Sequence, residues 1–256
     1  MYNDIKKDLE NALLNDEFYL CYQPLINIKT NKIVSMEALV RWKHKIYGIV
    51  SPLQFIPAAE DTGIIVQLGE WVLRTACKQL KKWHDDGHNF YSISVNVSAV
   101  QLQDVDFACM VCNILCETGI SPEYLEIEIT ESALISSYKT VVNNLFYLSE
   151  LNIKISIDDF GTGYNSLIYL QKLMVNKLKI DMAFVCRIKA DINKAIIDSI
   201  ITLGHRINLE ITAEGVETEE QLEYLRNMGC DFAQGYYFSK PLMPNDMLSF
   251  LELNKF

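Results

Sequence analysis

The sequence predicts an α/β barrel of about eight strands whose first strand runs against the others. That expectation rests first on alternation: β-branched apolar runs and amphipathic helical stretches follow one another along the chain. It rests also on length, since 256 residues is the upper end for one domain and suits a strand–helix barrel. Finally, only Thr30-Asn31-Lys32 separates the first two strands, a turn that joins antiparallel neighbours rather than parallel ones. An open doubly wound sheet is the alternative, but no glycine-rich fingerprint follows the first strand. One domain is expected over residues 1–256.

In order, Ile5, Leu9, Leu13 and Leu14 mark an amphipathic helix over residues 4–14. Phe18–Ile28 is a strand containing Pro24, so one of its edges is expected to be incompletely paired. Ile33–Trp42 is the second strand. Ser51 caps a helix that Pro52 opens, Gly63 punctuates, and Ile64–Asp86 is a long amphipathic helix ending near Gly87. Tyr91–Ser98 is a strand, Val105–Glu117 a helix stopped by Gly119, and Leu125–Thr130 a strand. A helix over Ser137–Leu151 leads into the β-branched strand beginning at Lys154. A helix over Tyr164–Met174 and a short strand over Lys177–Asp181 come next. A helix over Asn193–Ile207 precedes the strand Glu210–Val216. Thr218 caps a helix reaching about Met228, with Glu220 and Glu223 on its solvated side, and Phe232–Phe238 is the last strand. Pro244–Leu253 closes the chain as a helix.

Half the residues are apolar, ample for a large core. A formal charge of −10 argues against binding polymeric nucleic acid on a basic face, but not against a small phosphate ligand held with cations. Seven cysteines without a pairing framework fit a reducing compartment, and the helically spaced Cys109, Cys112 and Cys116 read as small buried hydrophobes rather than as a zinc or redox site. The N-terminal residues have no apolar signal core, and no window approaches the roughly 20 apolar residues of a membrane span. A cytoplasmic location is expected.

The chemistry is concentrated at Lys154–Tyr164, where a strand runs into Asp158-Asp159 and then Phe160-Gly161-Thr162-Gly163. Neighbouring strand residues face opposite ways, so both carboxylates reach one site only if the strand ends there. Paired carboxylates need a positive partner, most simply a divalent cation; a solvated acidic turn is the bland alternative. In a barrel, functional groups gather at the C-terminal ends of the strands. Those ends carry Glu37, Asn96, Glu128, Asp158, Asp159 and Glu214, with Lys179 from another strand. An all-oxygen set selects Mg²⁺ or Mn²⁺ over zinc or copper, and two such ions suit displacement at phosphorus. Asp159-Phe160-Gly161 also matches a kinase triplet, but no catalytic-loop segment or phosphate-cradling loop accompanies it. His84 and His88, at the end of a lysine-rich helix, read as terminal or surface residues.

Seven motifs, in family order from about Ile5 to Leu251, resemble the EAL-domain cyclic-di-GMP phosphodiesterases. They are Glu37-Ala38-Leu39-Val40-Arg41-Trp42, Asn96-Val97-Ser98, Glu128-Ile129-Thr130-Glu131, Asp158–Tyr164, Lys179-Ile180-Asp181, Ala213-Glu214-Gly215-Val216-Glu217 and Gln234-Gly235-Tyr236. The resemblance implies hydrolysis of one phosphodiester of cyclic di-GMP to linear pGpG with two Mg²⁺ or Mn²⁺ ions. It implies that Glu37, Asn96, Glu128, Asp158, Asp159 and Glu214 are metal ligands and that Lys179 assists the nucleophilic water. Glu131 would anchor the Asp158–Tyr164 loop, with Glu217 in the same supporting layer. Gln23, Arg41, Gln234 and Glu217 would face the substrate, the Arg41 fork suiting a phosphate oxygen. A homodimer through Tyr164–Met174 is a further implication, the alternative being that this apolar face packs on the barrel; the chain either stands alone or follows a sensor or GGDEF domain in a longer protein. Departures are mild: Asn165 replaces the usual Ser, Met182-Ala183 follows Lys179-Ile180-Asp181, and Glu210-Ile211-Thr212 is polar for its place. A receptor that binds the nucleotide without cleaving it, or a barrel enzyme acting on an enolate, are the competing readings.

Overall fold

The computed structural model describes residues 2–88, 91–134, 138–161 and 174–253. Among the described residues nine strands are ordered β1 (Phe18–Asn27), β2 (Ile33–His44), β3 (Gly48–Val50), β4 (Ser92–Val97), β5 (Leu125–Thr130), β6 (Lys154–Phe160), β7 (Lys177–Ile180), β8 (Glu210–Ala213) and β9 (Phe232–Ala233). The sheet runs β1-β9-β8-β7-β6-β5-β4-β2-β3, and a further β1–β2 pairing closes it. All of these except β3 therefore form a barrel, and β3 is a hairpin extension of β2. β1 runs antiparallel to both its neighbours, while β2, β4 and β5–β9 are parallel. The fold is thus the TIM-like barrel with a reversed first strand that the short turn at Thr30 foretells.

The helices are α1 (Tyr2–Leu14), α2 (Pro52–Thr62), α3 (Ile65–Asp85), α4 (Ala99–Leu102), α5 (Phe107–Thr118), α6 (Tyr138–Glu150), α7 (Met182–Val185), α8 (Asp191–Arg206), α9 (Glu219–Asn227) and α10 (Pro244–Leu253). Helix spacing sets which face is buried: α3 hides Leu68, Val72, Leu73, Ala76 and Leu80 and packs on β4 and α5. Burying one such leucine contributes about 1.5–3 kcal/mol. Pro24 meets Met36 of β2, while on its other side β1 pairs with β9 only at Ile26 and Asn27, so the missing N–H interrupts no ladder.

Several elements differ from expectation for local reasons. Ser51 is extended and Pro52 opens α2, but the Ser51 hydroxyl makes no capping bond. The short α4 starts at a reciprocal cap between Ser98 and Gln101, and α7 starts where the Asp181 side chain accepts from Ala183 N at 2.6 Å. β8 stops at Ala213 and β9 at Ala233, shorter than expected. Beyond them Val216 N donates to Gln234 O at 3.0 Å and Tyr237 N to Val216 O at 2.9 Å, outside the ladder. His88 is buried rather than superficial, and His84 Nε2 lies 2.8 Å from Tyr91 O. The expected helix Tyr164–Met174 lies outside the described residues, except for the exposed Met174.

Candidate active site

Glu37, Asn96, Glu128, Asp158, Asp159 and Lys179 are delivered by β2, β4, β5, β6 and β7, and Glu214 follows the last residue of β8. Strand alternation turns the Glu37, Glu128 and Lys179 side chains into the barrel, where they meet. Lys179 Nζ is 2.5 Å from Glu214 Oε1, 2.6 Å from Glu128 Oε2, 3.3 Å from Asp158 Oδ1 and 3.8 Å from Glu37 Oε2. Glu37 accepts from Asn96 Nδ2 at one oxygen and from Gln234 Nε2 at the other, each at 2.6 Å. Gln234 Nε2 also donates to Gln23 Oε1 at 3.1 Å, and Gln23 Nε2 to Ser239 O at 3.0 Å. This chain of amides fixes both faces of the Glu37 carboxylate before any ligand arrives.

The strand does not end at the paired aspartates; it is kinked there. Asp159 has a φ of 54°, and the β6–β7 ladder shifts register between Ile157 and Phe160. Aspartate tolerates left-handed backbone better than most residues with a side chain. The kink brings Asp159 to the side of Asp158, and one oxygen each from Asp158, Asp159 and Glu214 lie within 4.8 Å of one another.

Such crowding is expensive. Burial, a hydrogen bond to Asp181 and the charge of Asp158 push the Asp159 carboxyl up to about 7. Burial, with the charges of Asp158 and Glu37, raises Glu214 to about 8 even though Lys179 opposes the shift. Glu128 is raised well above the ordinary carboxylate range by burial and by Glu37 and Asp158. Burial works against the Lys179 charge, but Asp158, Glu128, Glu214 and Glu37 outweigh it and hold the ammonium well above its usual value. One lysine is too little positive charge for this many carboxylates. A donor set made wholly of carboxylate and amide oxygen is the one hard divalent cations take, so the residues present fit Mg²⁺ or Mn²⁺.

A cleft of about 280 Å³ opens over these groups, lined by Gln23, Glu37, Arg41, Glu214, Glu217 and Gln234 among others. Arg41 is half-buried, donates to its neighbour's Val40 O at 2.9 Å, and has no carboxylate partner among the described residues. Glu217 is exposed and its N–H donates to Gln221 Oε1 at 2.7 Å. Glu131 is buried, and among the described residues nothing donates to either of its carboxylate oxygens. The loop it is expected to hold lies largely outside the described residues. Asp181 beside Asp159, and Met182 and Tyr236 in the lining of the cleft, stand in or next to the motifs but had no role at the site in the sequence. The Asp181 carboxylate was legible as a helix cap, whereas the place of Met182 depends on Gly215 packing against it. A larger cavity of about 520 Å³ beside Ile26, Ile33 and Arg226 lies away from this cluster.

Fold and site together define a class: α/β barrels with a reversed first strand and an all-oxygen cluster around a buried lysine. The chain belongs to the EAL domain family, whose sequence profile matches residues 6–241. It is 42% identical over 243 residues to the bifunctional diguanylate cyclase/cyclic di-GMP phosphodiesterase MucR of Pseudomonas aeruginosa, covering 94% of this chain and 36% of that protein. It is 39% identical to the cyclic di-GMP phosphodiesterase NbdA of the same organism, over 98% of this chain and 32% of NbdA. The chain thus spans about a third of the length of these relatives. Among solved structures, the PaMucR phosphodiesterase in complex with c-di-GMP superposes with a TM-score of 0.91 at 41% identity, covering 95% of this chain and 99% of that one. No helix among the described residues is long and apolar enough to cross a membrane.

Proposed function

We propose that the chain hydrolyses cyclic di-GMP to linear pGpG, lowering the level of a second messenger. The observation that carries this reading is the oxygen-donor cluster around Lys179 at the floor of a cleft that also presents the Arg41 guanidinium. Glu37, Asn96, Glu128, Asp158, Asp159 and Glu214 would hold two Mg²⁺ or Mn²⁺ ions. When bound, the ions would lower the pKa of water and offset charge on the phosphodiester.

The remaining work belongs to the protein. Arg41 binds a non-bridging phosphate oxygen and orients the phosphorus. Lys179 holds the attacking water and favours its deprotonated form, which adds to phosphorus as the bond to the ribose oxygen breaks and that oxygen gains a proton. Gln23, Gln234 and Glu217 orient the nucleotide, and Glu131 fixes the loop after Asp159. The protein acts in the cytoplasm, in keeping with seven unpaired cysteines. It works as one EAL domain and as a homodimer, either on its own or with a sensor or GGDEF domain upstream in a longer protein; a monomeric mass by light scattering would remove the dimer.

The test is turnover of cyclic di-GMP by purified protein in Mg²⁺ or Mn²⁺, with metal-free protein as control and product read by chromatography. Metal-dependent appearance of pGpG is expected. Tight binding of the nucleotide without product would make the chain a receptor instead.

A further inference from the structure

Below the candidate site the barrel holds a second carboxylate–lysine pair. Lys177 Nζ lies 2.7 Å from Glu126 Oε2 and 3.0 Å from Glu126 Oε1, and both side chains are about 5% exposed or less. Glu126 stands two residues before Glu128 in β5, and Lys177 two residues before Lys179 in β7, so the same alternation turns all four side chains inward. The two pairs are stacked layers of one interior. β6 lies between β5 and β7, and the lower pair reaches across it at Ser156, which is fully buried and is the β6 partner of Lys177. On its other side Lys177 Nζ sits 5.1 Å from the centroid of the Phe232 ring.

A buried ion pair is a poor source of stability, because the cost of desolvating both charges consumes most of their attraction. Its use must be sought in geometry. β7 is only four residues long, and its ladder to β6 breaks above Ile157, so Lys179 has no regular β6 partner at the level of Asp158 and Asp159. Backbone pairing on the β6 side is therefore interrupted at the level of the reacting groups and resumes only at Phe160 and Ile180. The Glu126–Lys177 contact, with two hydrogen bonds, supplies a tie between β5 and β7 in the paired layer beneath that interruption.

We infer that Glu126 and Lys177 are positioning residues that set β7 against β5 and thereby hold the Lys179 ammonium on Glu128. The inference rests on the phosphodiesterase reading for its effect on rate, and on the oxygen cluster alone for its effect on metal. Replacing both partners by apolar residues, as in Glu126→Leu/Lys177→Met, removes the tie without leaving a buried charge, so the fold and its stability are kept. A pair that only filled space would leave function untouched by that change.

The experiment measures the wild type and this double variant for urea stability, kcat and KM on cyclic di-GMP, and Mn²⁺ affinity by calorimetry. The expected result is unchanged or raised stability and unchanged KM. kcat and Mn²⁺ affinity should each fall by about tenfold to a hundredfold. Wild-type kcat and Mn²⁺ affinity in a stable double variant would overturn the inference. A wild type without turnover would overturn the proposed activity, and the Mn²⁺ comparison would still decide the positioning role. If the apolar pair does not fold, Glu126→Gln/Lys177→Met, which leaves no buried charge and no donor at position 177, takes its place. There too a loss of Mn²⁺ affinity supports the tie and an unchanged affinity overturns it.

Discussion

Asp158 and Asp159 are adjacent in one strand, yet their carboxylates converge with that of Glu214, because Asp159 has a φ of 54°. An extended residue at that position would send the second carboxylate to the far side of the sheet. Asparagine shares aspartate's tolerance of the left-handed region, so Asp159→Asn should fold normally. It should also weaken Mn²⁺ binding by at least about tenfold and cut turnover with it. Calorimetric titration beside a turnover assay checks this, and an Asp159→Asn protein with native Mn²⁺ affinity would remove Asp159 from the ligand set. Asp159→Val would add backbone strain of roughly 1–3 kcal/mol, visible as a lower denaturation midpoint.

Lys179 is the cation on which Glu128, Glu214, Asp158 and Glu37 converge, between 2.5 and 3.8 Å. Lys179→Met should therefore cost about 3–5 kcal/mol in metal-free protein, as expected when one partner of a buried ion network is removed. Saturating Mn²⁺ should recover most of that loss by replacing the missing charge, while turnover stays depressed by about a hundredfold or more. Urea denaturation with EDTA and with Mn²⁺ separates the two effects. Equal destabilisation in both conditions would mean that the lysine and the ions do not share the site.

The raised carboxyls give a pH dependence with a definite sign. Asp159 at about 7 and Glu214 at about 8 bind protons in the folded, metal-free protein that the unfolded chain has released, since the ordinary values are 3.8 and 4.5. Metal-free stability is then greatest below the ordinary values and falls as pH rises through the folded ones. Metal must displace these protons, so Mn²⁺ affinity should climb over the same window. Thermal melts of EDTA-treated protein at about pH 6 and about pH 8.5 should show the higher Tm at the lower pH, and that difference should vanish in saturating Mn²⁺, where neither the folded nor the unfolded carboxyls carry these protons. Proton release can be read from calorimetry in buffers of different ionisation enthalpy. A metal affinity that does not vary with pH would contradict the crowded-carboxylate picture.

Much of this site was legible before the fold was known, because each residue sits at a place that topology dictates. Glu37, Asn96, Glu128 and Lys179 lie in strands whose alternation can be counted, and once the strands are parallel their ends must meet. The antiparallel β1 was readable from the turn at Thr30. What could not be read depends on single backbone angles or on distant contacts. The kink at Asp159 was hidden, since period-two reasoning required the strand to end there, whereas β6 continues to Phe160. β8 and β9 were drawn too long because Val216 and Gln234 look strand-like but pair with each other outside the ladder. The Glu126–Lys177 pair escaped notice because charged residues two apart in a strand are ordinarily a solvated edge, and only closure of the barrel buries them.

The last prediction concerns Gly235. A Cβ built there would collide with the Val216 backbone nitrogen and carbonyl oxygen, atoms already bonded to Gln234 O and Tyr237 N. No flexible side chain can yield, so any substitution pushes the segment after β9 away from the segment after β8. Those segments carry Gln234, which clamps Glu37 at 2.6 Å, and Glu214, which touches Lys179 at 2.5 Å. Gly235→Ala should therefore destabilise the fold by about 1–3 kcal/mol through overpacking. It should also disturb both sides of the cleft, raising KM and lowering kcat although it removes no polar group. Urea denaturation and steady-state kinetics test the two parts separately. A Gly235→Ala protein of native stability would show that the two segments yield to each other and that Gly235 does not set the distance between Gln234 and Glu37.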